Sequence, residues 1–356
     1  LGPMSKAKNY FYQLDALRGI ACLMVLFYHL VPGSGTWIAL GPLGVRLFFV
    51  MTGFLLIGNH LQQLDRGSAP INTLTGFYKK RAIRIFPVYF LAFGILCLFG
   101  IEPARQVWVW ICTFSVNFYM GLTEQWPGAL SHYWFLATSE QMVFVLSLLI
   151  LWIPKRLFVP IFALCFVGAW LHRWIATTQG VAPMLVWYSP LSSMDSIAAG
   201  ALIGLFYREK KETISQLACR TSVAVGSWCC LIGAAVIRLW GFDTAWVHLA
   251  ETLEALFFGW LILRAAIGFT GFWGGVLQFP GLVYTGVISY ALYVFHPLIH
   301  TFVETTFEKL HFPSNPENVF LITSTFVLTF FAGILSWHFL EKPLISLKTK
   351  VAPEKK

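Results

Sequence analysis

Long apolar stretches recur along this chain, from LDALRGIACLMVLFYHL near the N-terminus to VFLITSTFVLTFFAGIL near the C-terminus. Runs of about 18 to 23 such residues are long enough to cross a hydrocarbon core of about 30 Å as helices. A helix satisfies its own backbone hydrogen bonds there, where no water is present. Only 12% of the residues are charged, about half the share of a soluble domain. The sequence therefore predicts an all-α polytopic membrane protein.

The apolar runs predict about ten transmembrane helices. They fall at residues 12–31, 41–59, 83–101, 134–153, 157–176, 186–207, 221–239, 246–264, 284–303 and 319–340. A further apolar segment at 108–121 is too short to span, and we interpret it as a re-entrant or interfacial piece.

The Lys and Arg residues predict the orientation of these helices. With ten spans and a cytoplasmic N-terminus, most cations fall on the cytoplasmic side, including those of the C-terminal tail. An eleventh span at 108–121 would put that basic tail outside, against the rule. Both termini are therefore predicted to be cytoplasmic. The net charge of +9 then reflects membrane topology and not nucleic-acid binding.

Three regions are expected along the chain. Residues 1–3 resemble a remnant of an expression tag, residues 4–343 form one transmembrane domain, and residues 344–356 form a basic cytoplasmic tail. We expect no cleaved signal peptide and no appended soluble domain.

Two ionisable residues lie inside the first span, where each costs several kcal/mol and calls for an explanation. Arg18 and His29 are 11 positions apart, which places them near one helical face and about 16 Å apart along the axis. Arg18 then lies in the inner half of the bilayer and His29 in the outer half. A snorkelling arginine and a hydrogen-bonded interhelical histidine are the alternative reading.

Basic residues cluster at the cytoplasmic start of the third span, in FYKKRAIRIFPVYF. Arg81 and Arg84 are one helical turn apart, and Lys79 and Lys80 precede them. Paired guanidinium groups on one face suit a phosphate ester. The alternative is a topogenic or lipid-binding cluster, which is common at this boundary.

Four further residues share the predicted depth of His29 in the outer half of the bilayer or lie just outside it: Glu140, Asp195, His296 and His132. Their shared depth predicts one polar cavity that opens outward. A carboxylate beside an imidazole can orient a general base, and Glu140 is the candidate for His29. Trp134 belongs to an aromatic group at the outer boundary that either stacks on sugar rings or forms an interfacial belt.

Several segments resemble the membrane-bound acyltransferase 3 family. LDALRGIACLMVLFYH carries the family's Arg-x10-His pattern with Arg18 and His29, and GVRLFFVMTGFLL resembles its FFV-x-SGF segment with Thr52 in place of Ser. The family's RxxR motif falls on Arg81 and Arg84, followed by IFPVYF.

Two later segments extend the resemblance to roughly residues 12 to 343. HYWFLATSEQ resembles the family's WSL-x-x-EEQ segment, although Ser139 precedes Glu140 where many members have paired acidic residues. ISYALYVFHPL resembles its SY-x-LY-x-x-H segment and ends on His296.

The resemblance implies a bacterial inner-membrane enzyme that transfers an acyl group, most simply acetyl, from cytosolic acyl-CoA to a sugar hydroxyl of an envelope polysaccharide or lipid-linked glycan. It implies His29 as general base or acyl carrier, assisted by Glu140 and Arg18. The expected donor-binding residues are Arg18, Lys79, Lys80, Arg81 and Arg84. The expected acceptor-binding residues are Asp195, His296, His132 and Trp134.

A proton-coupled transporter or flippase is the competing hypothesis, because it would also carry ionisable residues inside the membrane. The sequence shows no inverted repeat, and a phosphate-suited cluster has no evident role in such a carrier. No metal site is predicted, because His296 and His300 have no third ligand that we can place beside them.

Overall fold

The computed structural model describes residues 11–33, 39–240 and 244–351, and these residues form helices joined by turns, with no strand among them. The predicted tag remnant at 1–3 and the last residues of the predicted tail lie outside the described residues. The α-helices are α1 (Tyr12–Leu30), α2 (Leu40–Asp65), α3 (Pro70–Leu98), α4 (Trp108–Cys112), α5 (Val116–Thr123), α6 (Tyr133–Trp152), α7 (Phe158–Thr178), α8 (Pro183–Tyr188), α9 (Met194–Glu209), α10 (Lys211–Ala218), α11 (Thr221–Leu239), α12 (Thr244–Ile267), α13 (Gly271–Leu277), α14 (Pro280–Lys309), α15 (Val319–Leu335) and α16 (Lys342–Val351). A π-helical turn, Ser336–Glu341, joins α15 to α16.

Within the described part of the chain, nine helices are long and apolar enough to cross a membrane. They are α1, α2, α3, α6, α7, α11, α12, α14 and α15, the last together with the π-helical turn. The predicted all-α polytopic fold class is confirmed.

The predicted sixth span, at 186–207, differs in the structure. Ser189 precedes Pro190 and has extended backbone angles, which the proline ring favours in the residue before it. The chain therefore divides there into α8, a short 3₁₀ turn and α9. Because α9 has only 16 residues, it is about 24 Å long and shorter than the hydrocarbon core.

The short apolar segment near 108–121 also forms two pieces. α4 has 5 residues and α5 has 8, and Phe114 between them has a left-handed backbone with φ of 52°. Neither helix is long enough to span a bilayer.

Close approach of helices α2 and α9 depends on two glycines that face each other. A Cβ atom at Gly53 would collide with the carbonyl oxygen of Ile197, and one at Gly200 would collide with the carbonyl oxygen of Val50. Small residues allow such backbone contact, which is a main source of helix association in a bilayer.

The same principle joins α1 to α14, because a Cβ at Gly286 would meet the backbone of Asp15. α1 therefore lies between α2 and α14.

We predict that Gly200→Leu lowers the thermal unfolding midpoint of the purified protein in detergent. The added side chain has no space against α2, and overpacking of this kind costs about 1–3 kcal/mol. Gly226→Leu is the matched control, because a Cβ there has no neighbour within 4 Å. Equal midpoints for the two variants would contradict the packing role of Gly200.

Candidate active site

Helix α2 lines three cavities in succession. Residues within 41–49 line a first cavity, residues within 48–59 line a second, and residues within 54–62 line a third. At 1.5 Å per residue, the stretch from 41 to 62 covers about 32 Å, which is close to the thickness of a hydrocarbon core. We name them the histidine cavity, the arginine cavity and the vestibule, in that order along α2.

The arginine cavity has a volume of about 350 Å³ and a cationic lining. Its charged lining residues are Arg18, Lys80, Arg81, Arg84 and Glu140. Four cations and one carboxylate give it an excess of positive charge. Lys79, which we expected to contribute, is exposed and lines none of the three cavities.

Two of the cations have carboxylate partners. Arg18 donates to Asp15 at 2.6 Å on its own helix, and Arg81 pairs with Glu140 at 2.6 Å between α3 and α6. Arg84 makes no side-chain hydrogen bond or ion pair to another described residue. Arg84 is therefore the one guanidinium in the lining of this cavity that has no carboxylate partner among the described residues, and it is available to an anionic ligand.

The prediction that Glu140 orients His29 is not what the geometry shows. Glu140 lies eight residues along α6 from His132, which is about 12 Å along the helix axis. That distance carries Glu140 away from the histidine cavity and into the arginine cavity, where Arg81 Nε donates to both of its oxygens at 2.7 Å. The boundaries of the predicted spans gave Glu140 and His29 similar depths in the membrane, but depth alone does not show that the two residues line different cavities.

The histidine cavity has a volume of about 330 Å³, and His29 and His132 line it together with Trp134. Its other aromatic lining residues are Tyr28, Phe49, Trp126, Trp187, Tyr188 and Tyr293. The side chain of His29 is exposed, whereas His132 is buried. The aromatic faces can contact the ring of a ligand such as a sugar, and the accessible imidazole can take a proton from one of its hydroxyl groups.

His296 takes the orienting place that we assigned to Glu140. It is completely buried, and its Nε2 lies 3.3 Å from Nδ1 of His29. Its Nδ1 lies 2.8 Å from the carbonyl oxygen of Tyr293, which can only accept a hydrogen bond. That carbonyl is available because Pro297, four residues on, has no N–H to donate to it.

This arrangement fixes the protonation of both neutral rings. His296 carries its proton on Nδ1, so its Nε2 accepts from Nδ1–H of His29. Nε2 of His29 is then left with a free lone pair, as a general base requires. His296 thus lies behind the cavity and does not line it, contrary to the predicted contact with substrate.

Asp195 is also placed differently from the prediction. Its side chain is fully buried and pairs with Arg173 at 2.6 Å, so it supports the wall of the histidine cavity without lining it. Around it runs an ion network of three arginines and three carboxylates. The members are Arg46, Arg173, Arg238, Asp195, Glu251 and Glu254.

Sequence reasoning missed this network as a unit. Arg46 and Glu254 fall within predicted spans, and a charge inside a span is the signal that could have been followed. The sequence does not show that α2, α7, α9 and α12 meet there. Arg46 and Glu251 line the histidine cavity, so the network forms part of its polar wall.

A thin aromatic partition separates the histidine cavity from the arginine cavity. Tyr293 lines both, and its hydroxyl donates to the carbonyl oxygen of His132 at 2.9 Å. Phe135 on one side contacts Phe49 on the other, with ring centroids 4.9 Å apart. One layer of side chains therefore lies between the cationic lining and the histidines.

We predict that Asp195→Asn destabilises the protein markedly. It removes one of the two carboxylates that compensate buried Arg173, the one that is itself fully buried, and breaking a buried pair in this way costs about 3 kcal/mol or more. Asp65→Asn is the control, because Asp65 forms exposed ion pairs that contribute about 1 kcal/mol or less. Unfolding midpoints measured in the same detergent test this, and an unchanged midpoint for Asp195→Asn would contradict it.

The sequence of this chain is similar to a known protein family and to two bacterial proteins. A family model of the acyltransferase 3 type, described as "Acyltransferase domain", matches residues 11–338. The peptidoglycan O-acetyltransferase OatA of Listeria monocytogenes is 23% identical over 373 residues, which cover 95% of this chain and 56% of that protein. The O-acetyltransferase OatA of Staphylococcus aureus is 22% identical over 364 residues, which cover 94% of this chain and 57% of that protein. The chain thus spans just over half the length of these relatives, and no solved structure matches it significantly.

Proposed function

The chain belongs to the acyltransferase 3 family, and from that membership we propose that it is a membrane O-acyltransferase. The proposed reaction moves an acyl group, most simply acetyl, from acyl-CoA to a sugar hydroxyl of an envelope polysaccharide or lipid-linked glycan. Both relatives are named O-acetyltransferases, which supports acetyl as the group that is transferred. One of them is named for peptidoglycan, which supports an envelope glycan as the acceptor. The observation that carries the proposal is the succession of a cationic cavity and a histidine cavity along one helix.

The donor is assigned to the arginine cavity. Guanidinium groups bind phosphate through charge-assisted hydrogen bonds, and unpaired Arg84 is free to make them. Arg18 lies 11 residues from His29 on α1, about 16 Å along the axis. An extended pantetheine arm is of comparable length, so phosphates near Arg84 allow the thioester to reach the partition at Tyr293.

The chemistry is assigned to His29. Its Nε2 takes the proton of the sugar hydroxyl while the hydroxyl oxygen attacks the thioester carbonyl carbon. The carbon–sulfur bond breaks, the thiolate of CoA leaves, and the imidazolium returns the proton to it. Nε2 of His296 accepts from Nδ1–H of His29, which orients the ring and leaves its Nε2 unprotonated before the hydroxyl proton is taken.

A covalent route uses the same geometry. Nε2 of His29 attacks the thioester carbonyl carbon, the carbon–sulfur bond breaks, and the thiolate of CoA leaves with the acyl group on Nε2. The sugar hydroxyl oxygen then attacks the acyl carbon, the carbon–nitrogen bond breaks, and the released Nε2 takes the hydroxyl proton and passes it to the thiolate. Both routes need passage of the acyl group through the partition formed by Tyr293 and its aromatic neighbours.

The acceptor is assigned to the histidine cavity. Trp134 and its aromatic neighbours offer faces for a sugar ring, and Glu251 and Arg46 offer polar groups for its hydroxyls. The proposed location is the bacterial cytoplasmic membrane, with the arginine cavity toward the cytoplasm as the distribution of cations predicts.

We predict that His29→Ala abolishes acyl transfer and acyl-CoA hydrolysis by the purified protein, while CoA still binds. The variant lacks the base but keeps the cationic cavity. His172→Ala is the control, since His172 lies on α7 and lines none of the three cavities. Full turnover by His29→Ala would remove His29 from the catalytic role.

We predict that Arg84→Gln weakens CoA binding by about tenfold or more, since a hydrogen bond to a charged group contributes about 1.5–3 kcal/mol. The difference from wild type should shrink at high ionic strength, because salt screens the lost attraction. Arg156→Gln removes an exposed cation that lines none of the three cavities and serves as control. Unchanged affinity in Arg84→Gln would leave the cluster with a topogenic role only.

A further inference from the structure

The vestibule is a second cationic space beside the arginine cavity. Its volume is about 600 Å³, and its basic lining residues are Arg18, Arg84, Arg208 and Lys211. Arg208 and Lys211 are among the Lys and Arg residues whose distribution predicts the orientation of the helices, and the donor site proposed above does not use them.

The vestibule and the arginine cavity adjoin each other. Four residues line both of them: Arg18, Leu55, Asn59 and Arg84. Arg84 therefore lies at the boundary of the two cavities, where one ligand bound to it can contact both. Along α2, the vestibule continues to Gln62, whereas the arginine cavity ends at Asn59.

Arg208 and Lys211 are held at the far side of the vestibule by local contacts. Asp65, at the end of α2, pairs with Arg208, and Lys211 Nζ lies 5.6 Å from the ring centroid of Tyr207. The hydroxyl of Tyr207 donates to the carbonyl oxygen of Ala266 at 3.2 Å, which anchors that ring. Lys211 has no carboxylate partner among the described residues, so the vestibule has a cation available for a second anion.

Two separated cationic positions match the distribution of charge in CoA. CoA carries a diphosphate next to its pantetheine arm and a separate monophosphate on the 3′ oxygen of its ribose. Thr52 in the arginine cavity and Gln62 in the vestibule are ten residues apart on α2, about 15 Å along the axis. One extended ligand can therefore reach from the partition, past Arg84, into the vestibule.

We propose that the vestibule is the subsite for the nucleotide end of CoA, with Arg208 and Lys211 binding its ribose 3′-phosphate. This inference rests on the proposed function, because it assigns a further part of the same donor. It divides recognition in two: Arg84 serves the diphosphate, and the pair at α9 and α10 serves the monophosphate. The subsite selects CoA over a thioester donor that lacks this phosphate.

The test compares the affinities of CoA and dephospho-CoA, which lacks only the ribose 3′-phosphate, for the purified full chain in zwitterionic nanodiscs. Wild type should bind CoA about tenfold more tightly, as expected for one charge-assisted contact. In Lys211→Gln and Arg208→Gln that preference should fall toward one, while the affinity for dephospho-CoA stays at the wild-type value. Unchanged dephospho-CoA binding also shows that the variants are folded.

Lys210→Gln is the matched control, because Lys210 is an exposed neighbour that does not line the vestibule, and it should keep the full preference. Equal binding of the two ligands by wild type, or an intact preference in both variants, would overturn the subsite. Loss of binding to anionic lipid vesicles in the variants, with no preference for CoA in wild type, would assign the two cations to a lipid headgroup. If wild type bound neither ligand, the proposed function would fail with it.

Discussion

A charge inside a hydrocarbon layer needs a partner, and the helices of this chain are arranged around such partners. Arg173 and Asp195 join α7 to α9, Arg46 and Glu254 join α2 to α12, and Arg81 joins α3 to Glu140 on α6. These pairs are strongest where water is absent and most costly to break there. Against that background, an ionisable side chain that faces a cavity without a carboxylate partner among the described residues is informative, and Arg84 and His29 are two such side chains.

Backbone contacts then place His29. The glycine contact between α1 and α14 brings the helix of His29 against that of His296. Pro297 frees the carbonyl oxygen of Tyr293, which fixes the proton of His296 and, through it, that of His29. A histidine can therefore orient a histidine here, and no carboxylate is needed beside the proposed base, His29.

Much of this could be read from the sequence, because it depends on local patterns. Apolar runs predicted the fold class, and the Arg-x10-His spacing identified Arg18 and His29 on one helix. The arrangement of cavities could not be read in the same way. Glu140 and His29 have similar predicted depths, but depth does not say which helices are neighbours, and Glu140 meets Arg81 on α3. Asp195 shows the same limit, since its partner Arg173 comes from a helix whose position sequence patterns do not give. Pro190 was a visible signal against the continuous sixth span.

In the proposed mechanism, one CoA molecule extends along α2 from the vestibule through the arginine cavity to the partition at Tyr293. A structure of the protein with bound CoA, determined by cryo-electron microscopy, tests this most directly. We expect the nucleotide in the vestibule, the diphosphate beside Arg84, and the thiol at Tyr293 on the side that faces His29. CoA bound outside these cavities, or entering through the histidine cavity with its thiol away from His29, would contradict it.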